Sequence, residues 1–228
     1  MTVAVFADIH GNVASLEKGL RIMESLKPDQ YLFLGDMAGY YYYQNESIEL
    51  LNSLDNLISI KGNHDKYFIN SLNDVDKLKK LDQKYGKSYS LLSKSLTQQS
   101  KIFFDNLLEY EKNNYYEAYH GSPNNYTEEY IYPDTVIDFP SSTPFIFLGH
   151  THYPMNRTIK DTLIINPGSI GQPRDFNQAS FSIVDLKNKQ IENIRYTYNQ
   201  NGLQKKIIEL NDKQYLSDVL KRVKNEAN

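Results

Sequence analysis

Two histidines, His150 and His152, stand two residues apart in the segment FLGHTHYP of a chain that contains only five histidines. The other three are His10, His64 and His120, and all five follow short apolar runs with a glycine close by. Glycine lets a backbone turn sharply and approach a ligand closely. Imidazoles at such positions can bind a divalent metal or exchange protons near neutral pH.

Oxygen donors accompany these histidines along the chain. Asp8, Asp36 and Asn63 also follow short apolar runs. Any one histidine is more simply explained as a buried structural residue, so the joint pattern carries the argument. Carboxylate, amide and imidazole donors without cysteine suit Mn²⁺, iron, Zn²⁺, Ni²⁺ or Co²⁺. Because one tetrahedral zinc needs fewer ligands, the set predicts two divalent transition metal ions, with Mn²⁺ first in preference, that share a bridging carboxylate.

The first third of the chain contains the elements that must position these donors. Residues 2–7, 31–34 and 57–60 are apolar runs typical of buried strands. An apolar stripe over 13–26 predicts a helix, and a shorter helix is predicted over 48–54. Alternating strands and helices favour parallel pairing through right-handed crossovers. Ligands of such sheets bind at the carboxyl ends of the strands, which is where the polar motifs lie.

The rest of the chain extends the same architecture. Residues 66–112 are polar and lysine-rich and are predicted to be mostly helical, with one helix over 97–108. Strands are predicted over 115–119, 144–148 and 163–165, antiparallel strands over 179–184 and 191–198, and a closing helix over 212–224. Since no repeat or linker divides the chain, one domain over residues 1–228 is expected.

Composition narrows the classes of function. Lys and Arg number 25 against 28 Asp and Glu, for a net charge of −3, which argues against a groove for long nucleic acid. The apolar run at the N-terminus is too short for a signal peptide, and no apolar run reaches the roughly 18 residues of a membrane span. The absence of cysteine fits a reducing compartment. We therefore expect a cytoplasmic protein without membrane association.

The ordered motifs D-x-H, GD, GNHD, H and GHTH resemble the signature of the calcineurin-like metallophosphoesterase superfamily over residues 3–175. DIHGN near the start and NPGSIGQPRD at 166–175 resemble its small bacterial and archaeal phosphodiesterase-like branch. The GDxxDRG motif of the serine/threonine protein phosphatases is absent, since MAGYY follows Asp36. The resemblance implies an α/β fold, a four-layer α/β/β/α sandwich of two mixed sheets flanked by helices.

The same resemblance implies a role for each donor. The first metal would be held by Asp8, His10 and His152, the second by Asn63, His120 and His150, and both by the bridging Asp36. A metal-bridging hydroxide would attack phosphorus in line. His64 is the candidate general acid for the leaving alcohol.

Three further residues have two interpretations each. Asp65 either orients the ring of His64 or caps the helix that follows. Asn12 either contacts a substrate phosphate or caps the first helix. Arg174 either binds a phosphate bidentately or forms a salt bridge with its neighbour Asp175. The sequence leaves these alternatives open.

Four consecutive tyrosines, Tyr40–Tyr43, follow the candidate bridging ligand. Members of the branch often have a glycine and a proline in this loop, so the tyrosines are a departure. Their rings can stack on a nucleobase, pack the loop onto the helix predicted over 48–54, or form a homodimer contact.

The sequence therefore predicts a two-metal phosphoesterase acting on a small phosphate ester, with a phosphodiester or nucleotide favoured over phosphoproteins. One alternative is a phosphomonoesterase with the same centre. Another is a non-catalytic scaffold of the same fold that binds a protein partner. The presence of His64 and of every ligand position disfavours the scaffold.

Overall fold

The structure, a computed structural model, describes residues 1–139 and 142–222. The strands within these residues are β1 (Thr2–Phe6), β2 (Gln30–Phe33), β3 (Leu57–Ser59), β4 (Glu111–Lys112), β5 (Tyr116–Ala118), β6 (Phe145–Phe147), β7 (Pro154–Ile159), β8 (Thr162–Pro167), β9 (Ala179–Asp185) and β10 (Gln190–Tyr196). The helices are α1 (Val13–Ser25), α2 (Gln44–Asn52), α3 (Asn63–Ile69), α4 (Val75–Tyr85), α5 (Ser88–Ser95), α6 (Gln98–Asp105), α7 (Asn201–Glu209) and α8 (Gln214–Leu220).

The strands form two mixed sheets of five strands each. The first has the order β10-β9-β1-β2-β3, with β1, β2 and β3 parallel and β9 and β10 antiparallel. The second has the order β4-β5-β6-β8-β7, with β5, β6 and β8 parallel and β4 and β7 antiparallel. In the first sheet the parallel strands extend to the β3 edge, with β9 antiparallel to β1 and β10 antiparallel to β9 on the other side. In the second sheet antiparallel strands form both edges. Both sheets are mixed, which confirms the predicted fold class.

Strand β1 shows why its sequence is apolar throughout. Val3 and Val5 face the second sheet, where they pack with Phe145. Ala4 and Phe6 face the other way, into the core beneath the helices. A strand buried on both faces reads as a continuous apolar run rather than an alternating one.

The outer faces of the two sheets are covered differently. Helices α1, α2 and α6 bury apolar residues against the first sheet. On the second sheet, Ile146 and Ile164 pack against Ile131, Ile137 and Phe139. These three residues lie in the described segment 122–139, which contains no helix.

Four elements were not predicted, among them the two-residue strand β4, which lies in the stretch predicted to be mostly helical. Helix α3 has only seven residues and begins with the polar run NHD, which leaves little apolar stripe to detect. Strand β7 begins at Pro154 and is half-exposed, as the edge position of its sheet allows. Helix α7 begins with Asn201 and Gly202, two weak helix formers.

Other boundaries moved by a few residues. Helix α2 begins four residues before the predicted position 48, because its first turn is polar and belongs to no apolar stripe. The predicted closing helix corresponds to α8, and positions 223–224 lie outside the described residues. No helix among the residues that the structure describes is long and apolar enough to cross a membrane.

Candidate metal centre

The structure brings all seven predicted metal ligands together where the parallel strands of both sheets end. Asp8 and His10 follow β1, Asp36 follows β2, Asn63 opens α3 after β3, His120 follows β5, and His150 and His152 follow β6. All seven are buried. The carboxyl ends of the parallel strands thus converge on one polar cluster, as expected for open α/β sheets.

Five of the seven have left-handed backbone conformations. The φ angles are 58° at Asp8, 51° at His10, 65° at Asp36, 68° at His150 and 63° at His152. This conformation costs an L-residue roughly 1–2 kcal/mol, although Asp and His adopt it more readily than most residues. Residues held in such conformations by the surrounding fold gather at functional sites.

The first group of ligand atoms surrounds one point. His152 Nε2 lies 3.3 Å from His10 Nε2 and 3.4 Å from Asp8 Oδ1. Asp36 Oδ2 lies 3.8 Å from His10 Nε2. Ligand atoms of these four residues all lie within 4.8 Å of one another, close enough for one cation.

The second group shares Asp36 with the first. Asp36 Oδ2 lies 3.3 Å from His120 Nε2, which in turn lies 3.1 Å from Asn63 Oδ1. Ligand atoms of Asp36, His120 and His150 also lie within 4.8 Å of one another. Asp36 therefore stands between two potential cation sites.

Three of the imidazoles are held through the nitrogen that faces away from the centre. The Nδ1 atoms of His10, His120 and His152 lie 2.7, 2.7 and 2.6 Å from the carbonyl oxygens of Ala38, Leu34 and Gln172. An Nδ1–H that donates to a carbonyl leaves the Nε2 lone pair for a metal, the arrangement usual for metal-binding histidines.

Several buried polar atoms of the centre have no hydrogen-bond partner within the described residues. They are both carboxylate oxygens of Asp8, Asp36 Oδ2 and His150 Nε2. Leaving a buried polar group unpaired costs roughly 1–3 kcal/mol, and more when it is charged. Divalent cations would satisfy all four atoms, so the residues present fit a two-metal centre.

Burial keeps most of these imidazoles neutral. It lowers the pKa of His10 to about 4 and that of His150 to about 3. Burial also lowers the pKa values of His64 and His152 well below their usual range. A neutral imidazole retains the lone pair that a metal requires.

His120 and Asp36 form the opposite case. Burial opposes the charged form of His120, but the Asp36 carboxylate raises its pKa to about 9. Burial also opposes the charged form of Asp36, but His120 and His64 hold its pKa well below its usual range. Without a cation, the proton on His120 therefore balances the Asp36 charge.

The geometry of Asp65 favours a role at the start of the helix over orienting His64, but Gly62 rather than Asp65 is the N-cap residue. Its carboxylate accepts hydrogen bonds of 2.8–3.0 Å from the backbone N–H groups of Asp36, Met37, Ala38 and Gly62, two on each oxygen. Helix α3 already includes Asp65 and has Gly62 as its N-cap. Both Asp65 oxygens are therefore engaged by backbone, and the residue ties the Asp36 loop to the start of α3 instead of orienting His64.

Asn12 is occupied by structural contacts. Its Oδ1 accepts from Ser15 N at 3.4 Å, which caps helix α1. Its Nδ2 donates to Gly171 O at 2.8 Å and to the Tyr198 hydroxyl at 2.7 Å. With both amide protons used and the side chain buried, the geometry favours the helix-cap interpretation.

Arg174 does not pair with Asp175, which binds Arg195 instead. The Nε of Arg174 is buried without a partner among the described residues, and one terminal nitrogen lies 3.4 Å from the Tyr40 hydroxyl. Burial lowers the pKa of Arg174, but neighbouring phenols and Asp8 raise it overall. The guanidinium is therefore close to the centre and has unused donors.

The tyrosine run divides into two parts. Tyr41 packs against Leu203 and Ile207 of α7 and against α8 residues, with its hydroxyl donating to Leu216 O at 3.1 Å. The buried Tyr40 belongs to the same cluster and also lies over the centre, with its ring centroid 4.6 Å from that of His10. The packing interpretation holds, but the partners are α7 and α8 rather than the helix predicted over 48–54.

Aromatic residues from distant segments complete the surroundings, and the sequence analysis did not identify them. Tyr89 lies with its hydroxyl 2.6 Å from His64 Nδ1, and the Tyr85 ring centroid lies 4.6 Å from that of the same histidine. The Tyr130 centroid lies 3.8 Å from that of His150. None belongs to a motif, and in a chain with 19 tyrosines the residue type is no signal.

Comparisons with known proteins identify relatives of this chain. A family model described as the calcineurin-like phosphoesterase superfamily domain matches residues 1–189. The chain is 32% identical over 228 residues to the uncharacterized protein MJ0912 of Methanocaldococcus jannaschii, covering 90% of this chain and 91% of that one.

Solved structures are similar over nearly the whole chain. A metallophosphoesterase from Sphaerobacter thermophilus is 26% identical with a TM-score of 0.81, covering 96% of this chain and 98% of its own. The hypothetical protein PH1004 from Pyrococcus horikoshii is 23% identical with a TM-score of 0.83, covering 97% and 98%. The similarity therefore extends over both sheets and the C-terminal helices.

Proposed function

Because the chain belongs to the calcineurin-like phosphoesterase superfamily, we propose that it hydrolyses a small phosphodiester or nucleotide-type substrate at a two-metal centre. The observation that carries the proposal is the shared ligand Asp36. Two groups of buried donors meet at this carboxylate. Both groups contain buried atoms that have no hydrogen-bond partner among the described residues.

The chain's own residues divide between the two sites. We assign Asp8, His10 and His152 to one cation, Asn63, His120 and His150 to the other, and Asp36 to both. When bound, the cations would supply Lewis acidity and an activated water. Mn²⁺ is our first choice of metal, because hard oxygen donors accompany the imidazoles.

His64 would protonate the leaving oxygen. Its Nδ1 is engaged by Tyr89, which leaves Nε2 as the ring nitrogen that can reach a substrate. The negative charge of a bound phosphate ester favours the protonated ring. The Nε2 proton then passes to the leaving oxygen as the bond between phosphorus and that oxygen breaks.

Arg174 would bind a non-bridging phosphate oxygen. Its Nε is buried and unpartnered in the described part of the chain, and a guanidinium can donate two parallel hydrogen bonds to a phosphate. Its position close to the buried carboxylates also balances their charge.

The preference for a nucleotide-type substrate is supported by an aromatic face beside the second group. The rings of Tyr130 and Tyr132 are stacked at 5.8 Å with an interplanar angle of 7°. Both side chains are exposed, at 46% and 36%, and Tyr130 touches the ligand His150. Exposed aromatic faces suit stacking on a base.

Hydrolysis of bis-p-nitrophenyl phosphate and p-nitrophenyl phosphate by the same protein tests the proposal. Chelated protein would receive Mn²⁺, Ni²⁺, Zn²⁺ or Mg²⁺, with Asp36→Asn as the matched inactive control. We expect metal-dependent cleavage of the diester above the monoester. Cleavage of the monoester alone would move the protein to the phosphomonoesterases. Two bound ions without turnover of either substrate would favour the scaffold alternative.

The base contact has its own test. Tyr130→Ala should raise KM for a nucleoside phosphodiester while leaving KM for methyl p-nitrophenyl phosphate within about twofold, since only the first presents a base for stacking. An equal change in both KM values would refute the contact.

The cysteine-free composition suits the cytoplasm, where we place the enzyme.

A further inference from the structure

The ring of His64 has a hydrogen-bond partner outside every motif. Its Nδ1 lies 2.6 Å from the hydroxyl oxygen of Tyr89, which belongs to helix α5. His64 is 5% exposed and Tyr89 is fully buried. A short hydrogen bond between two buried groups holds both side chains in one orientation.

Other aromatic neighbours contact the ring of His64 without hydrogen bonding to it. The ring centroids of Tyr40 and Tyr85 lie 4.8 and 4.6 Å from that of His64. Tyr67 also packs nearby at 5.7 Å, but its hydroxyl donates to Glu128 at 2.8 Å. These three rings restrict the imidazole sideways, and the Tyr89 hydroxyl determines which nitrogen faces away from the centre.

The loop after Asp36 leaves room for this contact. Gly39 has φ +87°, and a Cβ built there would lie 2.5 Å from His64 Nδ1 and 3.0 Å from the Tyr89 hydroxyl oxygen. Any side chain at position 39 would displace the hydrogen bond. The loop is therefore shaped around the Tyr89–His64 pair.

We propose that Tyr89 is the positioning residue of His64: its hydroxyl holds the imidazole so that Nε2 faces the leaving group. This inference rests on the proposed function, in which His64 is the general acid. A phenol is both donor and acceptor. It donates to the Nδ1 lone pair of one neutral tautomer and accepts from Nδ1–H when the ring is charged, whereas an ionised carboxylate can only accept.

The proton balance follows from this property. The charged ring has protons on both nitrogens, and its Nδ1–H donates to the Tyr89 oxygen. As the bond between phosphorus and the leaving oxygen breaks, the Nε2 proton passes to that oxygen, and the ring remains neutral with its Nδ1–H still bound to Tyr89. Solvent then returns a proton to Nε2.

The test is Tyr89→Phe measured on a series of phosphodiesters that differ in leaving-group pKa. We expect kcat to fall about tenfold or more for alkyl leaving groups and less than about twofold for p-nitrophenolate, because only poor leaving groups need a proton. KM should change little. Tyr116→Phe is the matched control: it also loses a buried phenol, one that donates to Gln30 Oε1 at 2.9 Å in another region, and should show no trend with leaving group.

His64→Ala and the double variant separate the two levels of the proposal. If His64→Ala shows no dependence on leaving group, the acid assignment in the proposed function fails. If the loss of kcat depends on the leaving group in His64→Ala but not in Tyr89→Phe, His64 remains the general acid and the positioning role of Tyr89 is overturned. In the expected case, adding Tyr89→Phe to His64→Ala causes no further loss.

A second readout needs neither metal nor turnover. The five histidines of metal-free protein can be observed through their ¹⁵N imidazole shifts, with His64 assigned from His64→Gln. Tyr89→Phe should shift Nδ1 of His64 most, while Tyr116→Phe leaves it unchanged. An unchanged His64 spectrum in a folded Tyr89→Phe protein would overturn the inference.

Discussion

Two buried regions of this protein adjoin each other and have opposite compositions, one apolar and the other polar. The core between the sheets contains apolar residues such as Val5, Leu32 and Phe145, and all three are almost wholly buried. The proposed metal centre begins three residues after Val5, at Asp8. It consists of seven polar side chains, five of them on left-handed backbones. Four of their atoms have no hydrogen-bond partner among the described residues.

The difference shows how the fold supports a costly site. Close packing and loss of water-exposed apolar surface stabilise the core. The centre buries carboxylate oxygens that have no hydrogen-bond partner among the described residues, and this costs stability in the metal-free chain. We infer that the core holds the donors in place and that cations offset the cost of the centre. The predictions below test this division.

The largest effect is expected at the shared ligand. Asp36→Asn should weaken binding of both cations and reduce activity by at least about 100-fold, because removing even an outer-shell partner of a metal site costs 10–100-fold. Metal content after dialysis and kcat measured with the diester check this. Two ions at full occupancy in the variant would refute the bridging role.

A core substitution should do the reverse. Phe145→Ala is expected to lower the free energy of unfolding by about 3–5 kcal/mol, the usual cost of truncating a buried phenylalanine. Metal stoichiometry of the folded fraction should stay unchanged. Urea unfolding and metal analysis measure the two quantities, with Ile146→Val, on the opposite face of the same strand, as a milder control.

Removing one charge from the centre should stabilise the metal-free chain. Burial raises the pKa of Asp8, so its ionised form destabilises the fold increasingly as the pH rises above the ordinary value for aspartate. Asp8→Asn should therefore raise the free energy of unfolding in chelator at pH 8 by about 1 kcal/mol or more, because the amide cannot ionise and one unit of pKa shift corresponds to roughly 1.4 kcal/mol.

Added metal should raise the free energy of unfolding of Asp8→Asn less than it raises that of the wild type. Ligand binding to the native state alone stabilises it by mass action. Equal destabilisation with and without chelator would show that Asp8 is merely a structural residue.

The smallest expected effect is the number of protons released when metal binds. The Asp36 carboxylate raises the pKa of His120 to about 9, so its proton stabilises the folded metal-free chain below pH 6.5, and this contribution is lost as the pH rises through 9. Metal must displace that proton, so binding at pH 7.5 should release about one proton and strengthen as the pH rises toward 9. Calorimetry in buffers of different ionisation enthalpy counts it, and zero release would contradict the ligand role of His120.

Much of the fold could be predicted from local pattern. The strands β1, β2, β5 and β6 were located because residues buried on both sides form short apolar runs. Helix α7 and strand β7 were missed, since Gly202 and Pro154 at their starts are poor formers of those elements and their exposed faces are polar. Edge elements of this kind are stabilised by neighbours rather than by their own sequence.

The sequence by itself determined the donors and their chemistry. Asp8, His10 and Asp36 follow strands of the first sheet and the histidines of GHTH follow a strand of the second. Within each sheet the carboxyl ends of parallel strands meet at one edge, and the packing of the two sheets brings the two edges together. Their side chains predict a centre of oxygen and nitrogen donors.

Only the tertiary structure decided how the remaining groups are used. Asp65 accepts hydrogen bonds from the backbone of the Asp36 loop and does not contact the His64 ring. The hydrogen bond to His64 comes from Tyr89, 25 residues further along the chain. Tyr41 packs against α7 and α8 and is not available to stack on a nucleobase. These pairings depend on which distant helices pack over the centre, and hydrogen bonding there follows from distance and direction, which no local spacing in the sequence encodes.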